Sequence, residues 1–188
     1  MPTPQELNHR QVPRMRRILF LCTGNTCRSP LAEVLCRQML CQALGCSPQE
    51  LPARGFVVQS AGVAAFPGDP STELAIEVAA EYGANLTDHR SRPVNSELLE
   101  QATDVITMTH AHAAVLKYRY PGIGPVPVPL CGDDEDLLDP IGGDLAVYRA
   151  CAETIRKHLQ RFLNEWISAE SESHGKRNPG DTDSTGGA

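Results

Sequence analysis

A three-layer α/β domain built on a parallel sheet is the fold this sequence predicts, and three observations carry that expectation. Short apolar runs that read as strands alternate with amphipathic stretches that read as helices, the pattern of successive βαβ units. Ile18-Leu19-Phe20-Leu21 is apolar at every position, as a strand buried on both faces must be. The residues after it, Cys22 to Pro30, form a short polar loop leading into a helix start, at the strand end where open α/β sheets hold their ligands.

In chain order, strands are expected over Arg17–Cys22, Phe56–Ser60, Asp104–Met108 and Val126–Leu130. The first helix is expected over Pro30–Ala43, with Ser29 as its cap, Pro30 tolerated in its first turn, and Leu31, Leu35, Met39 and Ala43 along its inner side. Further helices are expected over Ser71–Tyr82, Ser96–Ala102 and His110–Tyr118. The last, Asp144–Trp166, has the clearest pattern: Tyr148, Cys151, Ile155, Leu159, Phe162 and Trp166 follow the three- and four-residue steps of one buried face. No internal repeat is apparent.

Composition narrows the class. A chain of 188 residues with 41% hydrophobic content suits one domain with its own core. The net charge of −6 argues against general nucleic-acid binding, so an anionic ligand has to be drawn by local positive charge. No apolar run approaches the roughly 18 residues of a membrane span, and the first residues lack the apolar centre of a secretory signal, so a cytoplasmic location is expected. Seven cysteines, an odd number without framework spacing, are unlike a secreted disulfide scaffold. Cys36, Cys41 and Cys46 recur every five residues, which on a helix spreads them around the axis. Neither a metal nor another cofactor is expected.

The loop Cys22-Thr23-Gly24-Asn25-Thr26-Cys27-Arg28-Ser29-Pro30 carries the chemistry. A loop between a strand end and a helix start aims backbone N–H groups and the positive end of a helix dipole into one concavity, which favours an anion and also a thiolate. Cys22 is the candidate nucleophile; a thiol in such a setting can fall to about 3.5–7.5 from about 8.5. Arg28, in a Cys-x5-Arg spacing, can hold two oxygens of a phosphoryl group through its planar fork. Ser29 can donate its hydroxyl to the thiolate. Gly24 allows a tight turn around the anion, and Asn25 can brace the loop through its side-chain amide. Removal of a phosphoryl group also needs a proton for the departing atom and a base for water. The acidic run Asp133, Asp134, Glu135, Asp136 and Asp139 offers several carboxylates, of which Asp139 stands out because Pro140 stiffens its backbone and Gly142-Gly143 follow.

Leu21-Cys22-Thr23-Gly24-Asn25-Thr26-Cys27-Arg28-Ser29-Pro30-Leu31-Ala32-Glu33 resembles the signature of the low-molecular-weight protein tyrosine phosphatase family. Ser60-Ala61-Gly62, Asp88-His89-Arg90-Ser91-Arg92, Ile106-Thr107-Met108-Thr109 and Asp139-Pro140 resemble further family segments in the family's order. The resemblance runs from about Arg16 to Trp166. It implies a four-stranded parallel sheet in the order 2-1-3-4 with helices on both faces. It also implies a cysteinyl-phosphate intermediate on Cys22, Arg28 as clamp, Asp139 as general acid, and phosphorylated proteins or small phosphomonoesters as partners, with inorganic phosphate as product. Residues 16–167 are then the phosphatase domain, 1–15 a flexible N-terminal extension and 168–188 a disordered tail, the last also expected from its low apolar content. His89 is implied as a structural partner of Asn25, and Cys27 as a thiol that can pair reversibly with Cys22; a Cys27 packed inward beneath the loop is compatible with that. His110 and His112 are read as structural or exposed.

Within the family, the Cys-Thr-Gly-Asn-Thr form, Thr107-Met108-Thr109 and Asp139-Pro140-x-Gly142-Gly143 are more similar to bacterial protein arginine phosphatases. Ile141 departs from that pattern, standing where an aromatic residue is typical. Thr23 is the residue best placed to choose between phosphotyrosine and phosphoarginine. Two other classes stay open: an arsenate reductase on the same fold, for which Cys131 and Cys151 are the late thiols, and a catalytically silent phosphate-binding module.

Overall fold

The computed structural model describes residues 15–133 and 135–175. Strand β1 (Arg16–Cys22) has β2 (Phe56–Gly62) on one side and β3 (Asp104–Thr107) on the other, and β4 (Val128–Pro129) continues beyond β3. All pairings are parallel, in the order β2-β1-β3-β4. From β1 the chain crosses to β2 on one side and later returns to β3 on the other, so the sheet's switch point falls at the carboxyl end of β1, at Cys22.

Alternate β1 side chains explain why that run has no polar face. Ile18, Phe20 and Cys22 join a core with helices α1 (Arg28–Leu44), α2 (Glu73–Glu81) and α5 (Leu145–Gly175). Leu19 and Leu21 join the opposite core with α3 (Ser96–Gln101) and α4 (His110–Arg119). Side chains at successive strand positions point to opposite faces, and here both faces are covered, which gives three layers. Short 3-10 turns at Pro48–Glu50 and Pro52–Arg54 carry α1 back into β2.

Several boundaries differ from expectation for identifiable reasons. β4 is reduced to Val128–Pro129 because Pro125, Pro127 and Pro129 carry no N–H for a ladder. α1 starts at Arg28 with Cys27 as its N-cap, and no side chain caps it. Ser29 is therefore inside the helix, its hydroxyl turned back toward β1. Along α1, Leu31, Leu35 and Met39 are buried, whereas Ala43 is exposed. α1 ends at Gly45, whose φ of 60° is in the left-handed region, so Cys46 folds back and donates its N–H to the Cys41 carbonyl. Cys41 and Cys46 are thus neighbours, not spread around one helix. In α5, Tyr148, Cys151, Ile155, Leu159 and Trp166 are buried as the spacing predicts, with Leu163 more deeply buried than Phe162. Its backbone stays helical through Gly175, eight residues into the segment whose composition predicts disorder. Residues 1–14 of the predicted extension and 176–188 of the predicted tail lie outside the described residues.

Candidate active site

Cys22 ends β1, and its Sγ accepts the backbone N–H of Asn25 at 3.2 Å and lies 3.0 Å from Ser29 Oγ. The loop beneath it is held from several directions by Asn25, which is fully buried and has a φ of 57°. A left-handed non-glycine residue is costly by about 1 kcal/mol, least so for Asn, and here its side chain offsets that cost. Asn25 Nδ2 donates to Ser29 Oγ at 3.0 Å and to Ser60 Oγ at 2.9 Å, while Oδ1 accepts the Arg92 N–H at 3.0 Å. The Asn25 carbonyl lies 2.8 Å from His89 Nε2, and Ser60 in turn donates to Glu33. A further clamp comes from the segment after β2, where Val63 and Ala64 donate N–H groups to the carbonyls of Cys22 and Thr23.

Glycine is required here at a position the chemistry did not single out. A Cβ on Gly62 would lie 2.4 Å from the Thr23 carbonyl oxygen and 3.1 Å from the Asn25 nitrogen, so the loop rests directly on the end of β2. Gly24, expected to permit a tight turn, has no positive φ, and a Cβ there would meet only Thr26 Oγ1 at 3.6 Å. The steric need for glycine is in the floor of the loop.

Arg28 is buried, with its Nη1 donating to the Leu137 carbonyl at 3.3 Å and its Nη2 to Asp139 Oδ2. The expected clamp and the expected acid are therefore in contact, although 111 residues separate them in sequence. Asp139 also accepts the Ile141 N–H at 3.3 Å, and Gly142, with a φ of 81°, turns the chain toward α5. Of the competing carboxylates, Asp136 is committed to His110, accepting from its backbone N–H at 2.7 Å and lying 2.7 Å from its Nδ1. Those contacts hold the Asp136 carboxyl below its usual value. Asp133 and Glu135 are exposed, and Asp134 lies outside the described residues.

Burial pushes the Cys22 thiol up; the Ser29 hydroxyl, the backbone N–H groups of Ser29 and Asn25, and the Arg28 charge pull it down by less. The sequence led us to expect a net depression. Arg28 ranks last among these influences, and its guanidinium is shared with Asp139. Cys27 points away from the nucleophile's hydrogen bonds: its Sγ lies 3.4 Å from Tyr148 Oη and 3.5 Å from Thr72 Oγ1, and both cysteines are free thiols. Burial pushes Tyr148 up to about 12. Thr26 is half-buried, and its carbonyl accepts the Thr72 N–H at 3.1 Å. Cys131 is partly buried and Cys151 buried; the Cys151 thiol is pushed up to about 12, first of all by burial.

Of the two histidines expected to be structural or exposed, His110 is exposed and His112 packs against the loop. It is buried at 6% exposure, and its Nε2 lies 2.9 Å from Thr23 Oγ1. The available signal was Thr109-x-x-His112: a Thr at a helix N-cap directs the residue three positions on back toward the cap, hence toward the carboxyl ends of the strands.

A buried cysteine and a buried arginine at a sheet switch point, with a carboxylate on the arginine, form an arrangement suited to phosphoryl transfer through a thiol. Sequence comparison gives the lineage. The chain belongs to the family described as low molecular weight phosphotyrosine protein phosphatase, whose profile matches residues 17–173. It is 36% identical over 153 residues to a protein-arginine-phosphatase of Geobacillus stearothermophilus, covering 79% of this chain and 95% of that one. It is 30% identical to a probable low molecular weight protein-tyrosine-phosphatase, EpsP, of Ralstonia nicotianae, covering 81% and 94%. The solved structure of YwlE arginine phosphatase from Geobacillus stearothermophilus superposes with a TM-score of 0.71 at 34% identity, covering 87% of this chain and 99% of that one. Also similar, at 30% identity and a TM-score of 0.67, is a YwlE mutant with a phosphorylated active-site serine, covering 86% and 97%. These findings make the protein a phosphatase-type hydrolase. Among the described residues no helix is long and apolar enough to cross a membrane.

Proposed function

We propose that this protein removes phosphoryl groups from phosphoarginine and phosphotyrosine side chains of proteins through a phosphocysteine on Cys22. The observation that carries this reading is the chain of contacts from nucleophile to acid: Ser29 Oγ on Cys22 Sγ, and Arg28, one residue before Ser29, on Asp139. In the first step the Cys22 thiolate attacks phosphorus and the bond to the substrate nitrogen or oxygen breaks, with its electron pair taking a proton from Asp139. In the second, Asp139 takes a proton from water, the water oxygen attacks phosphorus, and the Cys22 thiolate leaves, stabilised by the Ser29 hydroxyl and the Asn25 N–H. Arg28 binds the phosphoryl oxygens in both steps through paired N–H groups, which requires it to exchange its contact with Asp139 for them. That exchange also frees the carboxyl for its proton transfers.

Phosphoarginine is favoured as a substrate by the relatives named protein-arginine-phosphatase and by Thr23, a small, exposed hydroxyl beside the nucleophile. Peptides of one sequence carrying either phosphoarginine or phosphotyrosine, assayed on the wild type and on Thr23→Ile, test this. The expected result is hydrolysis of both by the wild type and a shift in kcat/KM toward phosphotyrosine in Thr23→Ile. A wild type that leaves phosphoarginine untouched overturns the arginine branch of the proposal. Seven free thiols support a reducing, cytoplasmic setting. The folded domain over 16–167 is the functional unit in this reading.

A further inference from the structure

Thr23 does not stand alone at the edge of the site. Its Oγ1 lies 2.9 Å from His112 Nε2, and the other ring nitrogen, Nδ1, lies 2.8 Å from Thr109 Oγ1. Thr109 is the N-cap of α4, and the same Oγ1 accepts the backbone N–H of His112 at 3.2 Å. The proton inventory then shows what this chain leaves on Thr23. A threonine hydroxyl has one proton and two lone pairs, and a neutral imidazole has one N–H and one bare nitrogen. If Thr109 donates to Nδ1, the Nε2–H donates to Thr23, whose own proton is left without a partner in the chain. In the opposite tautomer Thr109 accepts twice, and its own proton has no partner among the described residues. In that second arrangement Thr23 donates to Nε2, so either arrangement leaves Thr23 Oγ1 at least one free lone pair.

Its consequence falls on Thr23. Held 2.9 Å from His112, the Thr23 hydroxyl keeps one lone pair when it accepts from Nε2–H and both when it donates to Nε2, so it presents an acceptor to whatever occupies the site in either case. Burial, reinforced by the Arg28 charge, lowers His112 to about 4, so the ring is neutral over the usual working range and does not set a second cation beside the site. We propose that His112 is a positioning residue: the Thr109–His112–Thr23 chain orients the Thr23 hydroxyl and thereby favours a phosphorylated guanidinium over a phosphorylated phenol. The guanidinium of phosphoarginine brings N–H donors that the free lone pair can accept, whereas the phenolic ring of phosphotyrosine brings none. This inference rests on the phosphatase reading above and adds a residue from the other side of the sheet to it.

The test uses the full chain with His112→Leu, His112→Gln, Thr23→Val and the Thr23→Val/His112→Leu double variant. Each is assayed for kcat and KM on phosphoarginine and phosphotyrosine peptides of identical sequence and on p-nitrophenyl phosphate, alongside its Tm. His112→Leu is expected to lower the phosphoarginine-to-phosphotyrosine ratio of kcat/KM by about tenfold, the effect of one lost hydrogen bond in a desolvated site. His112→Gln, whose amide N–H can reach Thr23, is expected to recover most of that ratio, and the double variant to match Thr23→Val alone. Should His112→Leu fail to fold, His112→Asn retains the contact with Thr109 and removes the one with Thr23, and the same loss is expected of it. Equal losses on both peptides that track Tm, or a His112→Leu effect that persists in the Thr23→Val background, overturn the proposal. A wild type active on the aryl phosphates alone overturns it and leaves the phosphatase reading standing; inactivity on all three substrates overturns both.

Discussion

The loop that presents Cys22 and the loop that presents Asp139 meet at one guanidinium, yet they are held in opposite ways. The first is fixed by the buried Asn25, with partners on Ser29, Ser60, His89 and Arg92, and by the floor at Gly62. The second carries Asp139, whose side chain is 42% exposed, against 7% for Arg28, and among the described residues its hydrogen bonds to the first come from Arg28, on Asp139 and on the Leu137 carbonyl. Buried, fully partnered polar groups fix a single geometry, whereas an exposed carboxylate can change partners. A nucleophile must be in place before substrate arrives; an acid must release the clamp when the phosphoryl group claims it. The difference in construction follows the difference in task.

Two substitutions separate the halves. Asp139→Asn is expected to have the larger effect, slowing turnover by about 10²–10⁴-fold, the usual range for losing a general acid–base group. The loss in kcat/KM, which reports the first step, should be greatest for alkyl phosphates and should shrink for leaving groups that depart without a proton, as a rate series across leaving groups would show. A uniform loss would shift the role to another carboxylate. Gly62→Ala is expected to cost about 10²-fold, since displacing a catalytic loop by an ångström has effects of that size. Because the added methyl collides with the Thr23 carbonyl, this loss should be independent of leaving group and accompanied by weaker vanadate binding. Retention of vanadate affinity in Gly62→Ala would mean that the loop yields to the methyl, and that the nucleophile's half is softer than its hydrogen bonds imply.

The local part of this architecture could be read from the chain. Ile18 to Leu21 announces a central strand because burial on both faces leaves no polar position, and the spacing of Cys22 and Arg28 across a loop into a helix announces an anion site. What sequence could not show depends on contacts made across the sheet. Ser29 has the composition of a cap, but only the packing of α1 against β1 turns its hydroxyl to Cys22 and Ala61. Gly24 looked necessary from its place in the loop, whereas the close approach that excludes a side chain is at Gly62, 38 residues further on. Asp139 could be chosen from Pro140 and the family segment, but its contact with Arg28, and that of Asp136 with His110, could not be read there. His112 passed as an ordinary histidine because nothing local places it against Thr23, 89 residues earlier.

The central claim is that Cys22 carries the phosphoryl group between two steps that Asp139 serves in turn. Rapid mixing of Asp139→Asn with excess p-nitrophenyl phosphate, followed by quenching and peptide mapping, tests it most directly. p-Nitrophenol leaves with little need of a proton, so the first step should outpace the second, in which the missing base slows the attack of water. The account predicts a burst of nitrophenol equal to the enzyme present and a phosphate on Cys22 in the quenched protein. A burst whose phosphate maps to another residue, or linear release with unmodified Cys22, would contradict it.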